Sequence, residues 1–211
     1  MFEVNEDTTY RASYSGGKDS SAMVIRLLEE NYPLDSVDFL DTGYEYPELY
    51  EYIDTFENYI YDNFGMKITR IYMPEKWAWD TWFYGEYLKG RFEGQRRGFP
   101  HVSGGHCYLS RQKGRMLDRY DRKAIRYIGI GWNEKHRVTD NPQLRYPLVD
   151  WEMTEDDCVE FLRERDILPT FNQYYKRTGC WLCPWSKLGS LKSLYTRHPD
   201  LWERLKQYEA D

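Results

Sequence analysis

The stretch TTYRASYSGGKDS, residues 8–20, decides the reading of the fold. Residues 8–14 alternate and are rich in β-forming side chains, which predicts a strand. The strand runs directly into Ser15-Gly16-Gly17-Lys18-Asp19-Ser20. From Ser21 to Tyr32 the chain places Met23, Val24, Leu27 and Leu28 on one helical stripe. Strand, glycine turn and helix form the first unit. The glycines let backbone N–H groups approach a phosphate closely. The helix N-terminus behind them favours negative charge. Ser15 and Ser20 add hydroxyls and Lys18 adds a point charge. The spacing fits neither G-x-x-x-x-G-K-[ST] nor G-x-G-x-x-G. As bare chemistry the segment is an anion cradle.

Working outward, residues 36–41 (SVDFLD) read as a buried second strand. Pro47 opens a long helix in the favoured early position. Its stripe is Leu49, Ile53, Phe56, Ile60 and Phe64, and Gly65 ends it. Residues 67–73 form a third strand, 107–121 a basic helix and 124–131 a fourth strand. Thr154 begins a capping-box-like Thr-Glu-Asp-Asp and a helix to about Arg165. A cysteine-bearing turn follows, then helices with a break near Pro199. The βαβαβ order predicts an α/β, Rossmann-like, mainly parallel sheet with helices on both faces. The expected organisation is a nucleotide-binding domain over 1–150 and a small cysteine-containing helical extension over 151–211. Residues 74–105 break the rhythm with Trp77, Trp79, Trp82 and a glycine-rich tract. They read either as a functional loop or as an excursion pinned by its tryptophans.

With 211 residues, the chain is long enough for a core without staples. It is 41% hydrophobic and 30% charged, which excludes a disordered chain. No apolar run approaches the ~18 residues of a membrane span, and residues 1–13 lack the basic start and apolar centre of a secretory signal. The expected location is cytoplasmic. A net charge of −6 argues against a duplex-DNA binder held by global charge. Basic stretches at 89–97 and 111–126, interleaved with aromatic residues, keep a nucleic-acid partner open.

In a reducing compartment the four cysteines are not expected to form disulfides. Cys158 reads as helix packing. Cys180 and Cys183 form a Cys-x-x-Cys whose spacing suits a metal or a redox dithiol. Cys107 is a candidate third ligand, with His106 beside it.

The Ser-Gly-Gly-Lys-Asp-Ser turn resembles the PP-loop of the ATP pyrophosphatase superfamily. Further stretches resemble its phosphoadenosine-phosphosulfate-reductase-like branch: DFLDTGYEYP (38–47), GIGWNEKHR (129–137), and a C-terminal block from Pro147 to Pro184. That block carries Trp-x-x-Thr-Glu, Asn-x-x-Tyr and Gly-Cys-x-x-Cys-Pro. The resemblance implies that Ser15, Gly16, Gly17, Lys18, Asp19 and Ser20 hold the phosphates of ATP with Mg²⁺. Lys18, Asp19 and Ser20 would act in catalysis. It also implies that Asp41, Thr42 and Gly43 lie near the adenosine, that Gly129 and Gly131 let it approach the fourth strand, and that Arg137 contacts an anion. The residues themselves leave open that Asp41 caps the next helix and that Arg137 is a solvated charge.

The chain departs from the sulfonucleotide reductases of this branch, which carry a nucleophilic cysteine in a Glu-Cys-Gly tail; here no cysteine follows Cys183. The resemblance further implies a 4Fe–4S cluster on Cys107, Cys180 and Cys183 with one iron open, or a zinc site closed by His106. The leading expectation is ATP-dependent adenylation with pyrophosphate release, coupled to sulfur transfer. The acceptor would be a nucleic acid or a small molecule, and a sulfur-donor protein and a homodimer are further expected partners. The alternatives are reduction of an adenylyl sulfate with a partner's thiol, and an ATP-binding scaffold or sensor without chemistry.

Overall fold

A computed structural model describes residues 8–99, 107–175 and 179–210. The chain divides into two compact units. The first comprises 1–40, 47–71 and 121–171, and the second 41–46, 72–120 and 172–211.

The first unit is built on a five-stranded sheet in the order β3-β2-β1-β4-β5. The strands are β1 (Tyr10–Tyr14), β2 (Ser36–Asp41), β3 (Ile68–Tyr72), β4 (Ile125–Ile128) and β5 (Leu144–Arg145). β1 pairs in parallel with both β2 and β4, and β4 with β5. This is the Rossmann-like α/β arrangement expected from the pattern. The helices α1 (Lys18–Glu29) and α2 (Pro47–Phe64) link β1 to β2 and β2 to β3. In α1 the stripe Met23, Val24 and Leu27 is fully buried, and in α2 Leu49, Ile53, Phe56 and Ile60 are buried. Both helices end in left-handed residues, Asn31 after α1 and Gly65 after α2. Tyr14 stacks on Phe56 at 4.9 Å between ring centres, tying β1 to α2.

One polar cluster crosses the sheet. The Asp38 carboxylate on β2 is fully buried; it accepts from Arg11 on β1 at 3.2 Å and from Arg126 on β4 at 3.3 Å. Ser36 donates to it at 2.7 Å. The pairing satisfies a carboxylate that burial alone would make very costly.

Helices α5 (Pro147–Asp150) and α6 (Glu155–Arg163) complete this unit. The capping box at Thr154 forms as read: Thr154 Oγ1 accepts from the Asp157 N–H, and Asp157 accepts from the Thr154 N–H. Residues 151–171, grouped by sequence with the C-terminal extension, fall in the first unit. The reason is the apolar face of α6, where Cys158 and Leu162 are fully buried. Arg165 also clasps Glu29 of α1 with two hydrogen bonds of 2.9 and 3.0 Å.

The second unit contains α3 (Trp79–Phe83), α4 (Tyr108–Tyr120), α7 (Leu188–Arg197) and α8 (Pro199–Ala210). Its centre is aromatic. Trp79 is fully buried, with Phe83 at 6.1 Å and Tyr208 at 6.1 Å. Asp80 accepts from Arg204 and from the Tyr208 hydroxyl. The described part of the 74–105 segment is therefore pinned by its aromatic residues. No helix among the described residues is long and apolar enough to cross a membrane.

A Cβ added at Gly129 would lie 3.0 Å from Ser20 Cα and 3.1 Å from its nitrogen, whereas one at Gly114 in α4 meets open space. Gly129→Ala is expected to destabilise by about 1–3 kcal/mol through overpacking. Gly114→Ala is expected to stabilise by about 0.5–1 kcal/mol through chain entropy. Thermal unfolding of the two variants beside the wild type checks the pair.

Candidate nucleotide site and cysteine turn

In the sheet order the chain moves outward from β1 through β2 to β3, then returns to the other side of β1 as β4. The direction reverses between β1 and β4, and such a switch point opens a crevice at the carboxyl ends of the strands. The segment after β1 is Ser15-Gly16-Gly17, and the segment after β4 starts at Gly129. The exit of β4 lies against the first turn of α1, because Gly129 abuts the backbone of Ser20. The glycine at 129 is thus required by packing against the first turn of α1.

The loop itself is tightly specified. Gly16 has φ +74°, and a Cβ there would stand 2.6 Å from Leu49 Cδ1, so both conformation and space demand glycine. Gly17 is the N-cap of α1, and Ser21 N–H donates to its carbonyl at 2.9 Å. The Ser20 hydroxyl donates to the same carbonyl at 3.0 Å and lies 3.1 Å from the Ser15 hydroxyl. The Ser15 N–H donates to Ser20 Oγ at 3.3 Å. These bonds fold residues 15–20 into a closed turn at the positive end of α1.

Lys18 donates to Asp19 at 3.3 Å and to Glu155 at 3.1 Å. Burial works to lower the Lys18 pKa, but the two carboxylates outweigh it and the group is held above its ordinary value. Burial pushes the Asp19 carboxyl up, with Lys18 opposing. One Asp19 oxygen, Oδ1, is buried and accepts no hydrogen bond among the described residues. Glu155 is the first residue of α6, and its N–H donates to Asn133 Oδ1 at 3.2 Å. Asn133 belongs to the 3₁₀ turn Trp132–Arg137 that follows β4. Sequence reading used Glu155 only as part of a helix start and passed over Asn133. The spacing of the acidic cap residues was the only signal, and it does not reveal a partner 137 positions away.

The other expected residues have structural engagements. Gly131 caps the 3₁₀ turn, and Arg137 at its far end pairs with Glu134 on a half-exposed surface. In the second unit, Asp41 Oδ1 accepts the Gly43 N–H at 2.7 Å in a turn where Gly43 has φ +78°. The Thr42 hydroxyl donates to Glu45 at 3.0 Å. Asp41 therefore shapes the exit of β2 by an Asx turn.

Cys180 and Cys183 also lie in the second unit. The Cys183 N–H donates to the Cys180 carbonyl at 3.1 Å, closing the turn. The turn is fastened to the β2 exit by the Trp181 N–H donating to Tyr44 O at 2.9 Å and by a bridge between Glu45 and Cys180. The fully buried Glu45 carboxylate accepts from the half-buried Lys113 of α4 at 2.7 Å. The Cys180 thiol is held well above its ordinary range, first by its hydrogen bond with Cys183, then by burial and by Glu45. A zinc or cluster site needs at least three protein ligands. Among the described residues no three His, Cys, Asp or Glu side chains are gathered in that way. His106 lies outside the described residues. The described residues thus assemble a two-thiol turn beside an ion pair, and they do not fit the three-cysteine set of Cys107, Cys180 and Cys183.

Residues 9–86 match the phosphoadenosine phosphosulfate reductase domain family. An uncharacterized protein of Methanocaldococcus jannaschii is 25% identical over 207 residues, covering 91% of this chain and 39% of that protein. The chain therefore spans about two fifths of that relative's length. An uncharacterized 37.8 kDa protein of Escherichia phage 186 is 24% identical over 256 residues, covering 97% of this chain and 75% of that protein. Among solved structures, the U34-tRNA thiolase NcsA of Methanococcus maripaludis with its [4Fe-4S] cluster aligns with a TM-score of 0.48 at 15% identity. That alignment covers 97% of this chain and 71% of the thiolase.

Burial, reinforced by the Asp19 charge, pushes the Cys158 thiol up to about 12. At pH 8 only on the order of 10⁻⁴ of it is thiolate. Iodoacetamide is expected to leave Cys158 unmodified in the folded protein at pH 8. Between pH 8 and 10 its slow labelling should rise about tenfold per pH unit, because the thiolate is the reacting form. Peptide mapping by mass spectrometry checks this.

Proposed function

We propose that residues 15–20 bind the polyphosphate of ATP, and that the chain adenylates an acceptor and releases pyrophosphate. The observation that carries this reading is the closed glycine turn at the switch point, with Lys18 held charged between Asp19 and Glu155. In the reaction an acceptor oxygen attacks the α-phosphorus, the bond from that phosphorus to the bridging oxygen breaks, and pyrophosphate leaves. Backbone N–H groups of the turn and the Lys18 ammonium face the charge that grows on the leaving group. Ser15 and Ser20 hold the turn in shape. The unpartnered Asp19 Oδ1 fits a Mg²⁺ ligand, and Mg²⁺ when bound supplies charge neutralisation of the phosphates. A sulfur nucleophile from a donor protein would then displace AMP, forming the new bond to sulfur as the bond to the AMP oxygen breaks.

We assign the acceptor to nucleic acid on features of the second unit. Arg111, Arg115 and Arg119 recur every four residues along α4 and are exposed. The Arg119 guanidinium lies 4.7 Å from the Trp77 ring centre, and Arg97 lies 4.8 Å from that of Trp82, which stacks on Tyr108 at 4.1 Å. Flat cationic and aromatic groups of this kind accept phosphates and stacked bases. A second reading, reduction of an adenylyl sulfate by a partner's thiol, draws support from the family matched over 9–86. Sulfite formation from such a substrate with a thiol donor would distinguish it.

Calorimetry with ATP and Mg²⁺ tests the reading. Lys18→Ala is expected to weaken ATP binding by about tenfold or more, the scale of one charged contact. Unchanged affinity in a folded Lys18→Ala protein would remove the turn from the account. For the acceptor, exchanging Arg111 and Arg115 together for Glu should weaken binding of a single-stranded oligonucleotide at least ~10-fold at low salt.

A further inference from the structure

We infer that Glu155 is a positioning residue, which aims the Lys18 ammonium at the distal phosphates of a bound nucleotide; this rests on the nucleotide reading above. The family model matched over residues 9–86 does not extend to it. The argument begins with donor counting. A lysine ammonium has three N–H donors. Asp19 and Glu155 take two of them, at 3.3 and 3.1 Å, which leaves one with a fixed direction. A lysine tethered by Asp19 alone, its own neighbour in the chain, would swing about the flexible four-carbon stem. The second tether comes from a different element and makes the direction unique.

That second tether is itself fixed. Glu155 opens α6 directly after the Thr154 capping box, so its backbone is set by two reciprocal hydrogen bonds. Its N–H is held by Asn133, which stands in the turn after β4. A Cβ at Gly131 would come within 3.0 Å of that same Asn133 oxygen, so the glycine there leaves Asn133 its place. The chain of contacts thus runs from the β4 exit through Asn133 and Glu155 to Lys18, all within the first unit. Glu155 acts through Lys18, which its carboxylate holds at 3.1 Å.

A carboxylate near a polyphosphate would by itself repel the ligand. Held on Lys18 at 3.1 Å, it gives instead a directional gain that acts on the distal phosphates, whereas repulsion alone would act on any nucleotide. The readout is therefore the preference for ATP over AMP, not affinity as such.

The test is calorimetry of ATP and of AMP, each with Mg²⁺, on the full chain as wild type, Glu155→Gln, Lys18→Ala and the double variant. The expected result is a preference for ATP in the wild type that falls about tenfold in Glu155→Gln, with AMP affinity retained. In the Lys18→Ala background, Glu155→Gln is expected to change nothing further, because the residue it works through is gone. Glu155→Asp keeps the charge but withdraws the carboxylate by one methylene, and is expected to behave like Glu155→Gln; it stands in if the glutamine variant melts early. A preference unchanged by either variant, or a further loss in the Lys18→Ala background, overturns the inference while leaving the nucleotide reading intact. A wild type that binds ATP no better than AMP overturns the nucleotide reading and the inference together.

Discussion

The close approach of the β4 exit to the first turn of α1 is the constraint on which the site depends. At Gly129 the backbone lies so near Ser20 that even a methyl group would meet main-chain atoms at 3.0 Å. Main chain has little room to yield, so this contact fixes the height of α1 relative to the sheet. With α1 fixed, the turn of residues 15–17 has one way to join β1 to the helix, and Gly16 takes the left-handed conformation that this path needs. The hydrogen bonds among Ser15, Gly17 and Ser20 then follow from the path. The anion cradle is thus a consequence of two backbones packed in contact.

The same constraint explains which parts of the molecule were legible in the sequence. The elements with strong periodicity were read nearly to their ends: 36–41 is β2, Pro47 opens α2 and Gly65 closes it, and Thr154 caps α6. Their signals are local, since a stripe, a cap or a glycine speaks of its own turn. The glycine turn was legible for the same reason. The glycine at 129 is legible as a type, but a sequence does not say which backbone a missing side chain makes room for. Glu155 and Asn133 were illegible as site residues: their meaning lies in partners brought near by α6 and by the turn after β4, and no local pattern encodes that proximity. Trp79 shows the converse. In a polar, glycine-rich stretch its sequence leaves open a functional loop or an excursion pinned by its tryptophans, and only Phe83 and Tyr208 reveal it as core.

In the second unit the Cys180–Cys183 turn answers to a different economy. Trp181 hydrogen-bonds the β2 exit, and Glu45 and Lys113 supply a buried ion pair beside the thiols. The spacing Cys-x-x-Cys is compatible with several chemistries, and what selects among them is the set of neighbours. Here two thiols share a hydrogen bond, and burial together with the Glu45 carboxylate disfavours the thiolate at Cys180, against the pull of Lys113. A motif count and a ligand count are different quantities, and the second is a property of the folded chain.

The buried Asp38 of β2, flanked by Arg11 and Arg126, carries a consequence for how the sheet is assembled. Its two partners stand on β1 and β4, one 27 and the other 88 positions away. If β1 or β4 slipped by one residue, that strand's side chains would exchange faces and the buried carboxylate would lose the arginine that strand supplies. Misregistered sheets are therefore penalised by charge as well as by packing. Because Arg126 arrives last in the chain, the penalty is relieved in full only when β4 has docked in register. One carboxylate thus ties the register of β1 and of β4 to that of β2, the strand that lies on the far side of β1 from β4.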